Sequence, residues 1–509
     1  MNDLNTIIST FSNEDQQRFI AYLEKKNKRN DTKNVQLFRY LANDDLNSET
    51  LCFKLYGTSK KGAYHALRKR LYQSVIEFIA NASLQDEKAI DMQIIKYILA
   101  SRTCLQHKQY KVAYKILDKA EMLAIEHHLF PLLNEIYHTK IQYAYAHPSA
   151  DINQLISKFK SNQKNHQLED QLNIVYAKIR QTLNNMTFKG DVVDFQTILN
   201  HTLKEHQISL TDAMSFKSLY QLVAINSYSA FVTNDYLKIE PFLINTYQSI
   251  IAHKDREKQL YYHIQILYFI ANTLFRNKKF DASMQYLELM HEHMNEKQKK
   301  HYNSFRLKYH LLLSLNLNYT NKADEAVETL SPLATIKHTD METLLDIRLS
   351  LIMFYFQKNE LKKAYTLFSK FYHTDNWYTE KAGKDWVIKK HLIEILLHIE
   401  LKNIDLVESR LLSFKRNHSH YLKSINQQRV LTYLSLVEDC YKNPEKITSE
   451  AFKDKVEKSF EWIDSQREDL FVMSFYAWLK SKMENKPLYA TTLSLIENIK
   501  NVNSALNLN

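Results

Sequence analysis

Gly57-Thr58-Ser59-Lys60-Lys61-Gly62 has the glycine spacing of a phosphate-binding loop, in which backbone N–H groups cradle phosphate and a following lysine reaches its far end. Here Ala63-Tyr64 follows the second glycine, so both that lysine and the magnesium-binding hydroxyl are missing. Glu135-x-x-His138 and Glu288-x-x-His291 have the spacing with which one helix face offers iron a carboxylate and an imidazole. A chain with 21 His and 57 acids yields about two such pairs by chance, and a metal centre needs further carboxylates from neighbouring helices. His127-His128, His291/His293 and His418/His420 are too close in sequence to share a helix face. Cys52, Cys104 and Cys440 lie far apart, without the spacing of a zinc site or a disulfide framework. They read as small buried hydrophobes in a reducing compartment. Neither a glycine-flanked serine elbow nor an HExxH motif occurs. The expectation is a protein that is not an enzyme and uses no cofactor and no metal.

What remains chemically suggestive is cationic. Five basic residues and no acid lie between Ser59 and Ile76: Lys60, Lys61, Arg68, Lys69 and Arg70, with His65 among them. Lys297, Lys299 and Lys300 lead into a later helix. Arg276, Lys278 and Lys279 fall in one turn, and Lys415, Arg416, His418 and His420 in a segment between repeats. Aligned on one edge, such clusters would track phosphates. The net charge of +11, from 68 basic and 57 acidic side chains, is nevertheless spread along the chain. Residues 1–85 carry 13 basic and 9 acidic side chains, hence +4 of the total, which argues against a dedicated DNA-binding head.

The elements that hold these residues are helical. Only 4 Gly and 6 Pro occur in 509 residues, too few turn formers for sheets and catalytic loops at this length. Residues 1–85 predict a separate helical module. Ser12 to Asp15 has the form of a capping box opening a helix through Phe19, Ile20 and Leu23, followed by a polar loop at 25–33 and an apolar turn at 35–41. Asn47 and Ser48 cap a short helix ending at Gly57, and Thr58-Ser59 cap a long one over 60–81. On the long helix Ala63, Ala66, Leu67, Leu71, Ser74, Val75 and Phe78 share the packing side. Lys61, His65, Lys69 and Tyr72 take the other, with Arg68 and Arg70 at its flanks. Short helix, glycine turn and long basic helix resemble a helix-turn-helix unit, which implies nucleic-acid contact; the alternative is a cap on the following helices.

From residue 86 onward small residues recur where helices cross. Tyr110, Ala113, Leu117 and Ala120 form one helix face, and Tyr97, Ala100 and Ser101 supply the matching face of the preceding helix. Ser283, Ala326, Ala364 and Val407 repeat the position of Ala113, at intervals of 43, 38 and 43 residues. Twelve residues before Ser283 and Ala326 stand Ala271 and Ser314; at the same place before Ala364 and Val407 stand Ile352 and Ile395. This spacing resembles the helical hairpin of tetratricopeptide repeats, with units of roughly 40 residues against that family's 34. Paired helices are expected at 129–146 with 150–167, 169–187 with 191–207, 212–233 with 235–253, 427–441 with 448–463 and 466–484 with 486–501. Pro148, Gly190 and Pro241 fall near connections. The resemblance implies an all-α, right-handed α-solenoid over 86–509, carried by repeats that bury their apolar faces against immediate neighbours.

Met1 to Asn5 lack the basic start of a secretory leader, and the apolar run from Leu349 to Phe356 falls short of a membrane span. A cytoplasmic protein without membrane contact is expected. The architecture suggests a scaffold whose groove holds a protein or peptide partner, with Tyr261, Tyr262 and Tyr268 as candidate lining residues. The alternative is a nucleic-acid or ribonucleoprotein-binding protein using the basic helix and the basic repeat-edge loops.

Overall fold

The computed structural model describes the chain apart from residues 1–2, 9–10, 12, 27–32, 44–47, 59, 86–89, 148, 190–196, 198–200, 202–215, 234, 253–258, 337, 339, 460–467 and 507–509. The described residues are helical throughout, with no strand among them, and the helices pack largely in adjacent pairs. Contacts divide the chain into two compact units, Met1–Lys164 and Asn165–Asn509.

The first unit begins with α1 (Asp3–Ile8), α2 (Asn13–Lys26), α3 (Lys33–Asn43), α4 (Ser48–Tyr56) and α5 (Lys61–Gln85). Phe19 is its hub: its ring lies 4.8 Å from that of Phe38 and 5.1 Å from that of Phe78, both edge-on. Edge-to-face rings gain attraction beyond simple burial, so three aromatics from three helices define this small core. Gly57 ends α4 with φ of 69°, a conformation open to glycine without steric cost. Ser12, Asn47 and Ser59, three of the expected capping residues, lie outside the described residues. On α5 the packing side is Tyr64, Leu67, Leu71, Ser74, Val75 and Phe78. Ala66, expected among them, is exposed, because it lies about 150° round the helix from the buried stripe of Tyr64 and Leu71.

In α6 (Ile90–Gln106), α7 (Tyr110–Glu126) and α8 (Phe130–Gln142) the repeat pattern is visible. Ser101, Ala113, Leu117 and Ala120 are fully buried at the α6–α7 crossing, while Tyr110 is half-buried. The partner face of α6 is Ile94, Ile98, Ser101 and Leu105; Ala100 is exposed, contrary to the pattern-based expectation. Lys140 is buried and held by Asp118 at 2.6 Å and by Glu121, which also accepts from Lys158 at 2.9 Å. Deleting Lys140 would leave the buried Glu121 with Lys158 alone, and deleting Glu121 would leave the buried Lys140 with the exposed Asp118 alone, which makes this network a fixed point of the unit.

One helix, α9 (Ile152–Asn184), runs where two were expected at 150–167 and 169–187, and it ends in a π-helical turn, Asn185–Lys189. Nothing between Ile152 and Asn184 breaks a helix: the stretch holds neither Gly nor Pro. The expected helix at 191–207 and the connection at Gly190 fall almost wholly outside the described residues, as does Pro148. Pro241 lies inside α11, not at a connection.

The second unit continues with α10 (Phe216–Thr233), α11 (Tyr236–Ala252), α12 (Leu260–Arg276), α13 (Phe280–Lys299), α14 (Tyr302–Asn318), α15 (Ala323–Leu330), α16 (Met341–Gln357) and α17 (Leu361–Phe368). It closes with α18 (Asp375–Ala382), α19 (Lys384–Glu400), α20 (Ile404–Ser424), α21 (Gln428–Lys442), α22 (Glu450–Ser459), α23 (Leu470–Glu484) and α24 (Leu488–Leu506). Ala271, Ser283, Ser314, Ala326, Ile352 and Ala364 are all fully buried at the crossings. At one crossing the Ser283 hydroxyl donates to the Ala271 carbonyl at 2.8 Å and accepts from Asn316 at 3.1 Å. Local features lengthen two of the units: α13 runs on into a kinked turn at Glu296, Lys297 and Gln298, and α18 is an extra helix between α17 and α19.

One turn joins most hairpins. Lys108, His128, Lys278, Asn321, Asn359, Lys402, Asn426 and Asn485 all have φ between 51° and 64°. In each case the next residue's N–H returns to the carbonyl five residues back, as in Lys279 to Leu274 and Glu360 to Tyr355. This is a Schellman-type helix end with Asn, Lys or His where glycine is usual. It explains how so many helix ends form in a chain with four glycines.

The last hairpin departs from nearest-neighbour stacking. Helix α23 is bonded to the C-terminal ends of α14, α16 and α19 and to the first half of α21, helices far apart in sequence. Tyr319 donates to the Leu470 carbonyl at 3.3 Å, Gln357 to Ser474 at 2.9 Å, and Tyr433 to the Phe475 carbonyl at 3.1 Å. The Trp478 indole donates to Glu400 at 2.6 Å, and from α24 Tyr489 donates to the Asn318 carbonyl at 2.7 Å. Phe475, Ala477, Trp478 and Leu479 are buried in this position.

Candidate functional site

Charged side chains converge on one face of the second unit. On α12, Tyr261, Gln265, Tyr268 and Arg276 follow at helical spacing, so they line one stripe. Lys308 on α14 lies over the Tyr268 ring, 5.9 Å from its centre. Helix α16 adds Glu342 and Asp346 one turn apart, after Asp340, whose carboxylate caps the helix by accepting from the Thr343 N–H at 3.1 Å. Helix α19 adds Lys389, whose ammonium lies over the Phe471 ring and 4.0 Å from Asp469. Asp469 caps α23 through the N–H groups of Phe471 and Val472, and it also pairs with Arg276.

These groups set one another's protonation. Burial pushes the Asp346 carboxyl up to about 7, and neighbouring Glu342 adds to the rise, against the opposing pull of Lys389 and Arg276. Desolvation also raises Glu342, with Asp340 adding and Lys308 and Arg180 opposing. Burial pushes Lys389 down, and the nearby Arg276 pushes it further. A carboxyl and an ammonium, each held away from its ordinary value on one face, form a surface that offers both donors and acceptors.

An aromatic wall borders it. Tyr220 stacks obliquely on Tyr262 with ring centres 5.0 Å apart, and Tyr176 meets Tyr220 through their hydroxyls at 3.4 Å. Arg180 donates to the Tyr228 hydroxyl at 2.7 Å, with its guanidinium 5.2 Å from that ring. Tyr261 is 43% exposed, and Tyr262 and Tyr268 are half-buried, so the expected lining tyrosines do present surface.

The cationic turns do not form a basic ridge. Arg276 pairs with Asp469, Lys278 is buried and donates to the Glu468 carbonyl at 2.8 Å, and Lys279 pairs with Glu240 at 2.6 Å. Lys415, Arg416, His418 and His420 lie inside helix α20, not in an inter-repeat segment, and Lys415 pairs with Glu438 at 2.5 Å. Arg276, Lys279 and Lys415 meet acids distant in sequence, which local spacing does not reveal.

Lys297, Lys299 and Lys300 are exposed at a sharp turn, where Lys297, Gln298 and Lys299 have φ of 48°, 58° and 62°. Lys60, just before α5, and Lys61, His65, Lys69 and Arg70 on it are exposed. Lys61 lies 3.4 Å from Glu49, and Arg68 is partly buried, donating to Asn5 at 3.0 Å. The structure thus keeps the α5 cations together on one helix in the first unit and Lys297 to Lys300 on a turn of the second.

Pattern reading missed Glu342, Asp346, Lys389 and Arg180. The available signal was a charged residue within a helix otherwise apolar on nearly every side, as in α16. A second charged group lies around α18: Asp375 accepts from Lys390 at 2.7 Å and from His391 at 2.9 Å, and Glu394 from Arg410 at 2.7 Å. It ties the extra helix to α19 and α20. Among the described residues, no three His, Cys, Asp or Glu side chains are grouped to hold a metal. No described helix is long and apolar enough to cross a membrane.

No protein-family model matches the chain, and no curated protein matches it in sequence.

Proposed function

We propose that the protein is a non-enzymatic helical-repeat scaffold of tetratricopeptide-like type, and that it binds a protein or peptide partner on the α12–α14–α16–α19 face. The observation that carries this reading is the placement of Tyr261, Tyr268, Lys308, Glu342, Asp346 and Lys389 from four successive hairpins around one surface. Alternating aromatic, cationic and acidic groups suit a peptide, whose amides and side chains offer both hydrogen-bond donors and acceptors. A uniformly anionic phosphate backbone would meet Glu342 and Asp346 as repulsion.

A photo-cross-linking amino acid in place of Tyr268 in the full chain, expressed in its own cells, tests this. A discrete protein adduct, reduced by Asp346→Ala and by Lys389→Ala, is the expected result. A nucleic-acid adduct, or protein adducts indifferent to both substitutions, would end the reading.

A nucleic-acid reading has its own support in the exposed Lys60, Lys61, His65, Lys69 and Arg70 of the first unit. Its signature is steep salt dependence: affinity for RNA or DNA at low salt that falls sharply as salt rises. Absence of binding at low salt removes it.

A further inference from the structure

The cationic face of α5 continues as an apolar one. Tyr72, Ile76 and Ile79 stand at i, i+4 and i+7, so they lie in one row, and they are 41%, 43% and 36% exposed. At about 100° per residue, Lys61, His65 and Lys69 fall on the same row, one to three turns earlier. The core-facing residues Tyr64, Leu71 and Val75 lie about a quarter turn round the helix from this row. Phe53 on α4 is 64% exposed and lies one turn after Glu49, on the side from which Glu49 meets Lys61. The first unit therefore carries a surface that is basic at one end and apolar at the other.

We propose that this face docks an acidic amphipathic helix from a partner protein. Charge complementarity chooses the occupant. Between Ser59 and Ile76 there is no acid, so carboxylates opposite Lys60, Lys61 and Lys69 meet no repulsion from the helix itself. The apolar row decides between protein and nucleic acid. A phosphate backbone satisfies the cations but gives Ile76 and Ile79 nothing to bury against. A second helix with apolar residues at i, i+3 or i+4, and i+7 covers the row along about 10 Å of α5 while its acids reach the lysines. Arg68 holds its place through Asn5 and the Tyr64 hydroxyl and borders the site.

The experiment uses the full chain and random 16-residue peptides displayed on phage, counter-selected against the Tyr72→Ser/Ile76→Ser variant. The enriched peptides are expected to combine apolar residues at helical spacing with acids in the adjoining turns. In fluorescence anisotropy with the best synthetic peptide, Ile76→Ser should raise Kd about tenfold, and Lys61→Glu/Lys69→Glu should do so separately. All substituted residues are exposed, so far-UV circular dichroism and melting should match the wild type. Should the serine variant unfold, counter-selection with the Lys61→Glu/Lys69→Glu variant gives the same reading. No peptide that discriminates the variants, or enriched peptides without acids, overturns the proposal. So does RNA or duplex DNA of 30 nucleotides whose binding is lost in Lys69→Glu yet indifferent to Ile76→Ser, which would assign the face to nucleic acid.

Discussion

Asp346 is a carboxyl whose chemistry is strongly changed by its surroundings. In an unfolded chain its carboxyl titrates near 3.8; in the folded chain it does so at about 7, because the surrounding helices desolvate it and Glu342 repels its charge. The folded state therefore binds the proton more tightly, and stability from this group is fully present at low pH. It declines as pH rises from about 4 to about 7 and is constant above. Asp346→Asn removes the decline: the melting temperature of the variant should gain on that of the wild type between pH 5 and pH 8. Parallel melting curves at both pH values would show that the carboxyl is not desolvated. Glu342, Asp340, Lys389 and Arg276 all face this group, so the measurement is best repeated in a Glu342→Gln background, where the wild-type slope should be shallower.

At the scale of the element, close approach controls where helices meet. Ala326 is fully buried with Ser314 and Leu330, so Ala326→Trp forces the α14–α15 crossing apart. Overpacking of this kind costs about 1–3 kcal/mol, read as a lower denaturation midpoint. Gly383 is a second contact of this type. It has φ of 90°, and a β-carbon there would lie 2.8 Å from the Thr187 side chain and 2.9 Å from its carbonyl oxygen. Both the backbone and the π-helical turn at Asn185–Lys189 thus require glycine. Gly383→Ala should destabilise by at least about 1 kcal/mol, and more than an Ala substitution at Gly62, where nothing lies within 4 Å. Equal effects at the two positions would show that the turn yields freely. The requirement at Gly383 could not be seen in sequence, because Thr187 is nearly two hundred residues away.

Across the second unit, α23 binds hairpins that do not touch one another in sequence. Its partners include Arg276, Tyr319, Gln357, Glu400 and Tyr433, drawn from α12, α14, α16, α19 and α21. In a purely nearest-neighbour array, removing the last hairpin would expose only the repeat before it. Here, deletion of residues 468–509 should lower hydrogen-exchange protection at the C-terminal ends of α12, α14, α16 and α19 and around Tyr433 of α21 together. Loss confined to α21 and α22 would restore the nearest-neighbour picture.

Much of this architecture was legible in the chain. The scarcity of Gly and Pro excluded sheets, and small residues at Ala113, Ala271, Ser283, Ala326 and Ala364 marked the crossings, since only small side chains let two helix backbones approach. Those are local properties, and helices are made of local contacts. Tertiary structure decided which cations were already paired, because Asp469 and Glu468 reach Arg276 and Lys278 across almost two hundred residues. It also decided that Glu342, Asp346 and Lys389 share one surface, and that α23 and its cap fasten the ends of four helices and the first half of α21. Spacing within a helix assigns a residue to a face; only the packing of distant helices decides what that face meets.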